Sequence, residues 1–190
     1  SPTQVLEHLL ACEVAATQAR KLRGRLRFAH YPVHKTLAEF DFDFQPHLDR
    51  KLVGELATLR FVEERRNVIL LGPPGVGKTH LATGLAVAAC RQRKRVRYIT
   101  AAQLVNELGE AKNRSELNRV TQRWTRYELI VIDEMGYVAM PEAAAELLFQ
   151  VIAGRAERAA LIVTTNLPFS EWTTMFPNAR LCKAMLDRLT

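Results

Sequence analysis

Eight consecutive residues, Gly72-Pro73-Pro74-Gly75-Val76-Gly77-Lys78-Thr79, constrain this chain more than any others. They fill the pattern G-x-x-x-x-G-K-[ST] through Gly72, Gly77, Lys78 and Thr79. Just before them, Val68-Ile69-Leu70-Leu71 is a short unbroken apolar run, as a strand buried on both faces requires. Just after them, residues 78–92 are rich in Ala and Leu and read as a helix. A strand, a glycine-rich turn and a helix in this order point backbone N–H groups inward as an anion nest. The following helix adds the positive end of its dipole. The segment therefore reads as an ATP site running from Gly72 through His80, with Lys78 against the β/γ-phosphates and the Thr79 hydroxyl on Mg²⁺.

Downstream the pattern is strand and helix in alternation. Strands are expected at 96–100, 129–132 and 160–164, and helices at 101–111, 115–127 and 142–156. Repeated βα units imply an α/β fold, a parallel sheet wrapped by helices. Upstream, Val5, Leu6, Leu9, Leu10, Leu22 and Leu26 recur at helical spacing. This predicts an N-terminal helical arm over 1–28, ended by His30-Tyr31-Pro32 because proline disfavours helix in its predecessor. Residues 29–46, in which Phe40, Phe42 and Phe44 alternate with acids, read as an extended linker, and 46–64 as one further helix. The core then covers 47–190.

The third strand ends in Asp133-Glu134, at the edge where sheets of this kind place ligand chemistry. Asp133 is suited to hold Mg²⁺ through water, and Glu134 to polarise an attacking water. The fourth strand ends in Thr164-Thr165-Asn166. If that strand lies beside the P-loop strand, the Asn166 amide reaches the γ-phosphate; the alternative is an Asn in a turn before Pro168. Arg188 is either a helix-surface arginine or one that reaches the γ-phosphate held by a neighbouring subunit.

The formal net charge is +7, and it is concentrated. Between Arg91 and Arg126, ten basic residues face only Glu107, Glu110 and Glu116. Such clustering fits a polyanion, and Lys112, Arg114, Arg119, Arg123 and Arg126 are the first candidates for DNA contact. In the predicted helix, Leu117, Val120 and Trp124 share one face while Arg119, Arg123 and Arg126 fall away from it. Arg23, Arg25 and Arg27 of the arm are second in line. Only Trp124 and Tyr127 interleave aromatic rings with these charges, which favours duplex DNA over base-stacked single strands. Cys12, Cys90 and Cys182 form no C-x-x-C pair, so neither a zinc site nor a disulfide framework is expected, and a reducing cytoplasm is the simplest compartment. Pro32 between His30 and His34 argues against a shared metal-binding helix face. No apolar stretch approaches the roughly 18 residues of a membrane span.

With these residues in place, the chain resembles the IstB/DnaC branch of AAA+ ATPases, and within it the IstB-like helpers of insertion-sequence transposases. The resemblance rests on the P-loop followed by His80, on Ile132-Asp133-Glu134-Met135-Gly136-Tyr137, and on the run from Thr164 to Trp172, Thr-Thr-Asn-Leu-Pro-Phe-Ser-Glu-Trp. Thr36-Leu37-Ala38-Glu39-Phe40-Asp41-Phe42 resembles the lead into that core, and Ala184-Met185-Leu186-Asp187-Arg188-Leu189 the family's arginine-finger segment. The resemblance implies ATP-driven homo-oligomers with Arg188 completing the site of the next subunit, duplex DNA on the inner face, and a partner transposase. It also implies a fifth strand and a helical lid. The chain opens on Ser1 and stops at Thr190, so that strand and lid are expected to be absent from it. A DnaC-like helicase loader, delivering a replicative helicase to single-stranded DNA, is the alternative reading. A scaffold whose nucleotide serves assembly alone is a third, and Glu134 and Asn166 speak against it.

Overall fold

The computed structural model describes residues 1–30, 35–137, 140–176 and 178–190. Helix α1 (Pro2–Ala29) leads in, followed by a 3₁₀ turn (Leu37–Glu39), α2 (Arg50–Ala57) and α3 (Arg60–Glu63). Then β1 (Val68–Leu71), α4 (Lys78–Arg91), β2 (Val96–Thr100), α5 (Ala101–Asn113), α6 (Leu117–Trp124) and β3 (Leu129–Met135) alternate. The chain ends with α7 (Glu142–Arg155), β4 (Ala160–Thr165), the short α8 (Trp172–Met175) and α9 (Ala179–Leu189).

The four strands form one parallel sheet in the order β1-β4-β3-β2. Parallel neighbours need helical crossovers, and the helices accordingly cover both faces. On one face Val96, Tyr98, Leu129, Val131, Ala160 and Ile162 pack with Leu85, Ala86 and Ala89 of α4 and with Leu59, Phe61 and Val62. On the other, Ile99, Ile130, Ile132, Leu161 and Val163 meet apolar residues of α5, α6, α7 and α9. The α/β sheet expected from the strand–helix alternation is therefore present. Strand order puts β4 beside β1, with Leu71 paired to Thr165, so Asn166 leaves the sheet next to the start of the P-loop.

Upstream of β1 the structure departs from the periodicity in two places. The single helix expected over 46–64 is split at Leu59, whose φ of 64° turns the chain left-handed. That break lets Leu59, Phe61 and Val62 all enter the core, which one straight helix face would not allow. Asp49 caps α2 by accepting from the N–H groups of Lys51 and Leu52, at 2.8 and 3.4 Å. The segment expected to be an extended linker instead folds onto α4. Leu37 lies so close to Gly84 that a Cβ there would come within 2.7 Å of its side chain, and Phe40 is buried. Phe40 meets Phe42 edge-on at 5.0 Å and the His80 ring at 5.2 Å. The alternating phenylalanines thus serve packing, because burial of a ring outweighs the weak strand signal of alternation.

Among the described residues, α1 packs on the body through Leu22, Leu26 and Ala29 in its last third, with the Arg25 guanidinium donating to the Cys90 carbonyl at 3.2 Å. Val5, Leu6, Leu9, Leu10 and Val14 stay more than half exposed. The helix ends on His30 in the left-handed conformation; Tyr31, Pro32 and His34 lie outside the described residues. Among the described residues, no helix is long and apolar enough to cross a membrane.

Candidate functional site

The carboxyl ends of β1, β3 and β4 and the first turn of α4 converge on one cavity of about 360 Å³. Its lining includes Gly75, Gly77, Lys78, Thr79, Glu134 and Asn166, so one site unites residues spread over 92 positions of the chain. Gly77 is the N-cap of α4 with φ of 91°, a conformation that costs an L side chain roughly 1–2 kcal/mol. A Cβ at Gly77 would also come within 2.8 Å of the Phe40 ring. Glycine is thus required twice there. Gly72, Pro73 and Val76 are not among the residues lining this cavity, and a Cβ at Gly72 would come within 3.3 Å of the Val76 side chain.

The Lys78 ammonium donates to the carbonyls of Gly72 and Pro73 at 2.6 and 2.8 Å. Burial draws its pKa below the usual lysine value, and the Asp133 charge opposes that shift. The His80 Nε2 lies 2.9 Å from the Thr36 carbonyl, which ties the P-loop helix to the segment before it. The Thr79 hydroxyl donates to the Asp133 carboxylate, at 3.1 and 3.3 Å from its two oxygens. A hydroxyl and a carboxylate this close form an all-oxygen pair of the kind a hard divalent cation takes, so the residues present fit Mg²⁺.

The placement of Glu134 depends on an irregularity in the sheet. Ile132 pairs with Val163 and Met135 with Thr165, so Asp133 and Glu134 together face the single residue Thr164. This is a β-bulge, uncommon between parallel strands and frequent beside functional sites, where it re-aims a side chain. Glu134 has φ of 61°, a strained value for a non-glycine residue. Its N–H donates to the Thr164 hydroxyl at 2.9 Å, and that hydroxyl in turn donates to Asp133. Asp133 is buried, Glu134 is exposed to the cavity, and Met135 returns to the core.

Lys35, Thr83, Tyr137, Thr164 and Thr165 also line the cavity; Lys35 and Thr83 carry no signal in the sequence, whereas Tyr137, Thr164 and Thr165 stand in the runs that contain Glu134 and Asn166. Tyr98 is a further residue missed by motif reading. Its hydroxyl, in a side chain only 3% exposed, donates to Asp133 from β2. Burial and then the neighbouring Asp133 push its pKa far above the ordinary phenol range, so it stays a donor.

Arg188 is not brought to this cavity. The Asn67 amide donates to the carbonyls of Arg188 and Leu189 at 3.0 and 3.3 Å, and Asn67 precedes β1. The P-loop leaves the other end of that strand, roughly 13 Å away at about 3.3 Å per residue. The exposed Arg188 therefore stands near the end of the sheet opposite its own P-loop.

The basic candidates cluster along the end of α5 and along α6. Lys112, Arg114, Arg119, Arg123 and Arg126 are all exposed. Three of them meet local carboxylates: Arg114 with Glu110 at 3.5 Å, Arg119 with Glu116 at 2.9 Å, and Arg123 with Glu107. Val120 and Trp124 are buried beneath them, as the helical spacing requires. The buried Arg155 of α7 donates to the carbonyls of Trp124 and Tyr127 and so caps this helix; burial first, and Arg95 second, lower its pKa to about 10.

The fold and this site together define a P-loop nucleotide-binding protein with a parallel sheet flanked by helices. The same fold is found in the replication initiator DnaA solved with AMPPCP and single-stranded DNA (TM-score 0.67, 16% identity, 84% of this chain and 50% of that one). It is also found in the DnaC helicase loader (TM-score 0.60, 18% identity, 75% of this chain and 89% of that one). The family described as IstB-like ATP binding protein matches residues 1–190, and the chain belongs to that family. A protein named for ATP binding in insertion sequence IS5376 of Geobacillus stearothermophilus is 39% identical over 189 residues, covering 100% of this chain and 75% of its own length. Its counterpart from insertion sequence IS21 of Pseudomonas aeruginosa is 45% identical over 170 residues, covering 90% of this chain and 64% of its own length.

Proposed function

We propose that this chain is a Mg²⁺-dependent ATPase that oligomerises on duplex DNA and recruits or activates a transposase. The observation that carries the catalytic part is the bulge that turns Glu134 toward the cavity shared with Lys78, Thr79 and Asn166. Backbone N–H groups of the loop and the N-terminus of α4 hold the phosphates, and Lys78 balances their charge. Thr79 and Asp133 would hold Mg²⁺, which when bound would neutralise charge on the phosphates. Glu134 takes a proton as the water oxygen attacks the γ-phosphorus, and the bond to the ADP oxygen breaks. The Asn166 amide orients that water. Arg188, at the end of the sheet far from its own P-loop, would complete the site of an adjacent copy.

DNA as the target is supported by the exposed basic stretch on α5 and α6 and by the insertion-sequence context of the relatives' names. Trp124, one of the two aromatic residues among these charges, is 2% exposed and so offers no stacking platform. That favours a duplex, bound through its phosphates, over a single strand, and with it the transposase reading over the helicase loader. If about six basic residues meet phosphates, log affinity falls with log salt at a slope near −5.

Glu134→Gln tests the catalytic assignment. Turnover should drop about 10²–10⁴-fold while nucleotide affinity is kept, since the amide retains the shape and loses the base. Unchanged turnover would remove Glu134 from the mechanism, and a wild type that turns over no ATP would leave a nucleotide-gated scaffold.

A further inference from the structure

Asp133 accepts hydrogen bonds from three hydroxyls, each delivered by a different element. Thr79 comes from α4, Thr164 from β4 and Tyr98 from β2. The Thr79 oxygen is the one that would share the cation. Tyr98 and Thr164 stand on the two strands flanking β3, donate to opposite oxygens of the carboxylate, and are 3% and 2% exposed. Tyr98 packs its ring in the core between β2, β3 and α4, so only its hydroxyl is committed to polar contact.

A carboxylate at a strand end has two rotatable bonds, and an uncommitted one spends much of its time in rotamers that miss the cation. Fixed donors on both oxygens remove that freedom before any ligand arrives. Partners of this kind around metal ligands set affinity, and their loss typically costs about 10–100-fold. We propose that Tyr98, with Thr164, is a positioning residue that holds Asp133 in its cation-binding orientation, the site being the one assigned above. Tyr98 does not itself line the cavity. Thr164 has a second task, because the same oxygen accepts the Glu134 N–H and so ties the bulge to the metal ligand.

The test is Mn²⁺ binding, followed by electron paramagnetic resonance in the presence of a non-hydrolysable ATP analogue, on the full chain as wild type and as Tyr98→Phe. The Phe variant keeps the ring and removes one hydroxyl. Its Mn²⁺ half-saturation should rise roughly tenfold or more, while analogue affinity measured in EDTA stays within twofold of wild type. Wild-type metal binding with an unchanged Tyr98→Phe half-saturation overturns this inference alone. A wild type that takes up no Mn²⁺ with the analogue overturns the proposed metal site as well. A loss of analogue affinity in EDTA equal to the loss for Mn²⁺ also overturns it, because the hydroxyl would then serve the fold. Should Tyr98→Phe not fold, Thr164 decides: Thr164→Val should weaken Mn²⁺ binding and Thr164→Ser should restore it, whereas equal behaviour of the two rejects the clamp.

Discussion

The cavity at the strand ends and the basic surface of α5 and α6 are built on opposite principles. In the cavity, Asp133 has three hydroxyl donors, Glu134 is held by a backbone bond in a strained conformation, and Gly77 leaves no room for one extra carbon. On the basic surface, Lys112, Arg114, Arg119, Arg123 and Arg126 are exposed on flexible side chains, three of them beside carboxylates. Exposed pairs of that sort are worth about 0–1 kcal/mol each and rearrange easily. The first region can act only through position, to within fractions of an ångström. The second can act only through summed charge, because solvent screens each member and none is held in place.

Arg188 is the sharpest test of that division, since it is exposed like the basic residues yet is assigned a positional role. In assembled protein, Arg188→Ala should lower turnover about 10³–10⁵-fold. Arg188→Lys should recover little of it, because an ammonium does not reproduce the guanidinium fork. Full activity in the Lys variant would move Arg188 into the charge-sum class. Steady-state turnover measured with and without duplex DNA separates the outcomes.

Gly77→Ala probes the cavity with one methyl group. A left-handed alanine and a collision with Phe40 together should weaken ATP binding by roughly tenfold or more, at about 1–2 kcal/mol for the backbone alone. Titration with a fluorescent ATP analogue gives the number, and affinity within twofold of wild type would mean the loop is softer than its geometry states. On the basic surface the same size of change should do far less. Arg119→Ala should weaken duplex binding only a few-fold, equally for unrelated sequences, and make the salt slope shallower by about 1. A larger or sequence-dependent loss would show a fixed base contact and collapse the contrast.

Much of the site was legible because its chemistry depends on neighbours in the chain. The P-loop is contiguous, and Asp133 with Glu134 ends an apolar run of the length a buried strand takes. Both facts survive without knowing the fold. Asn166 was legible one step further on, given a strand order that places β4 beside β1, and the pairing of Leu71 with Thr165 has that order. The sequence pattern failed at 37–64. There the phenylalanine alternation and the leucine periodicity are real, but Phe40, Leu59, Phe61 and Val62 are recruited by a distant helix and sheet.

The amino-acid sequence by itself determined that this chain folds as a parallel α/β sheet around a nucleotide loop, because periodicity, glycine placement and motif spacing are local properties. Only the tertiary structure decided how Asp133 and Glu134 are aimed. The bulge depends on the register between β3 and β4, and the hydroxyls that hold Asp133 come from positions 79, 98 and 164. No local pattern encodes a contact across 35 or 31 residues, since it exists only once three strands have paired and a helix has packed on them.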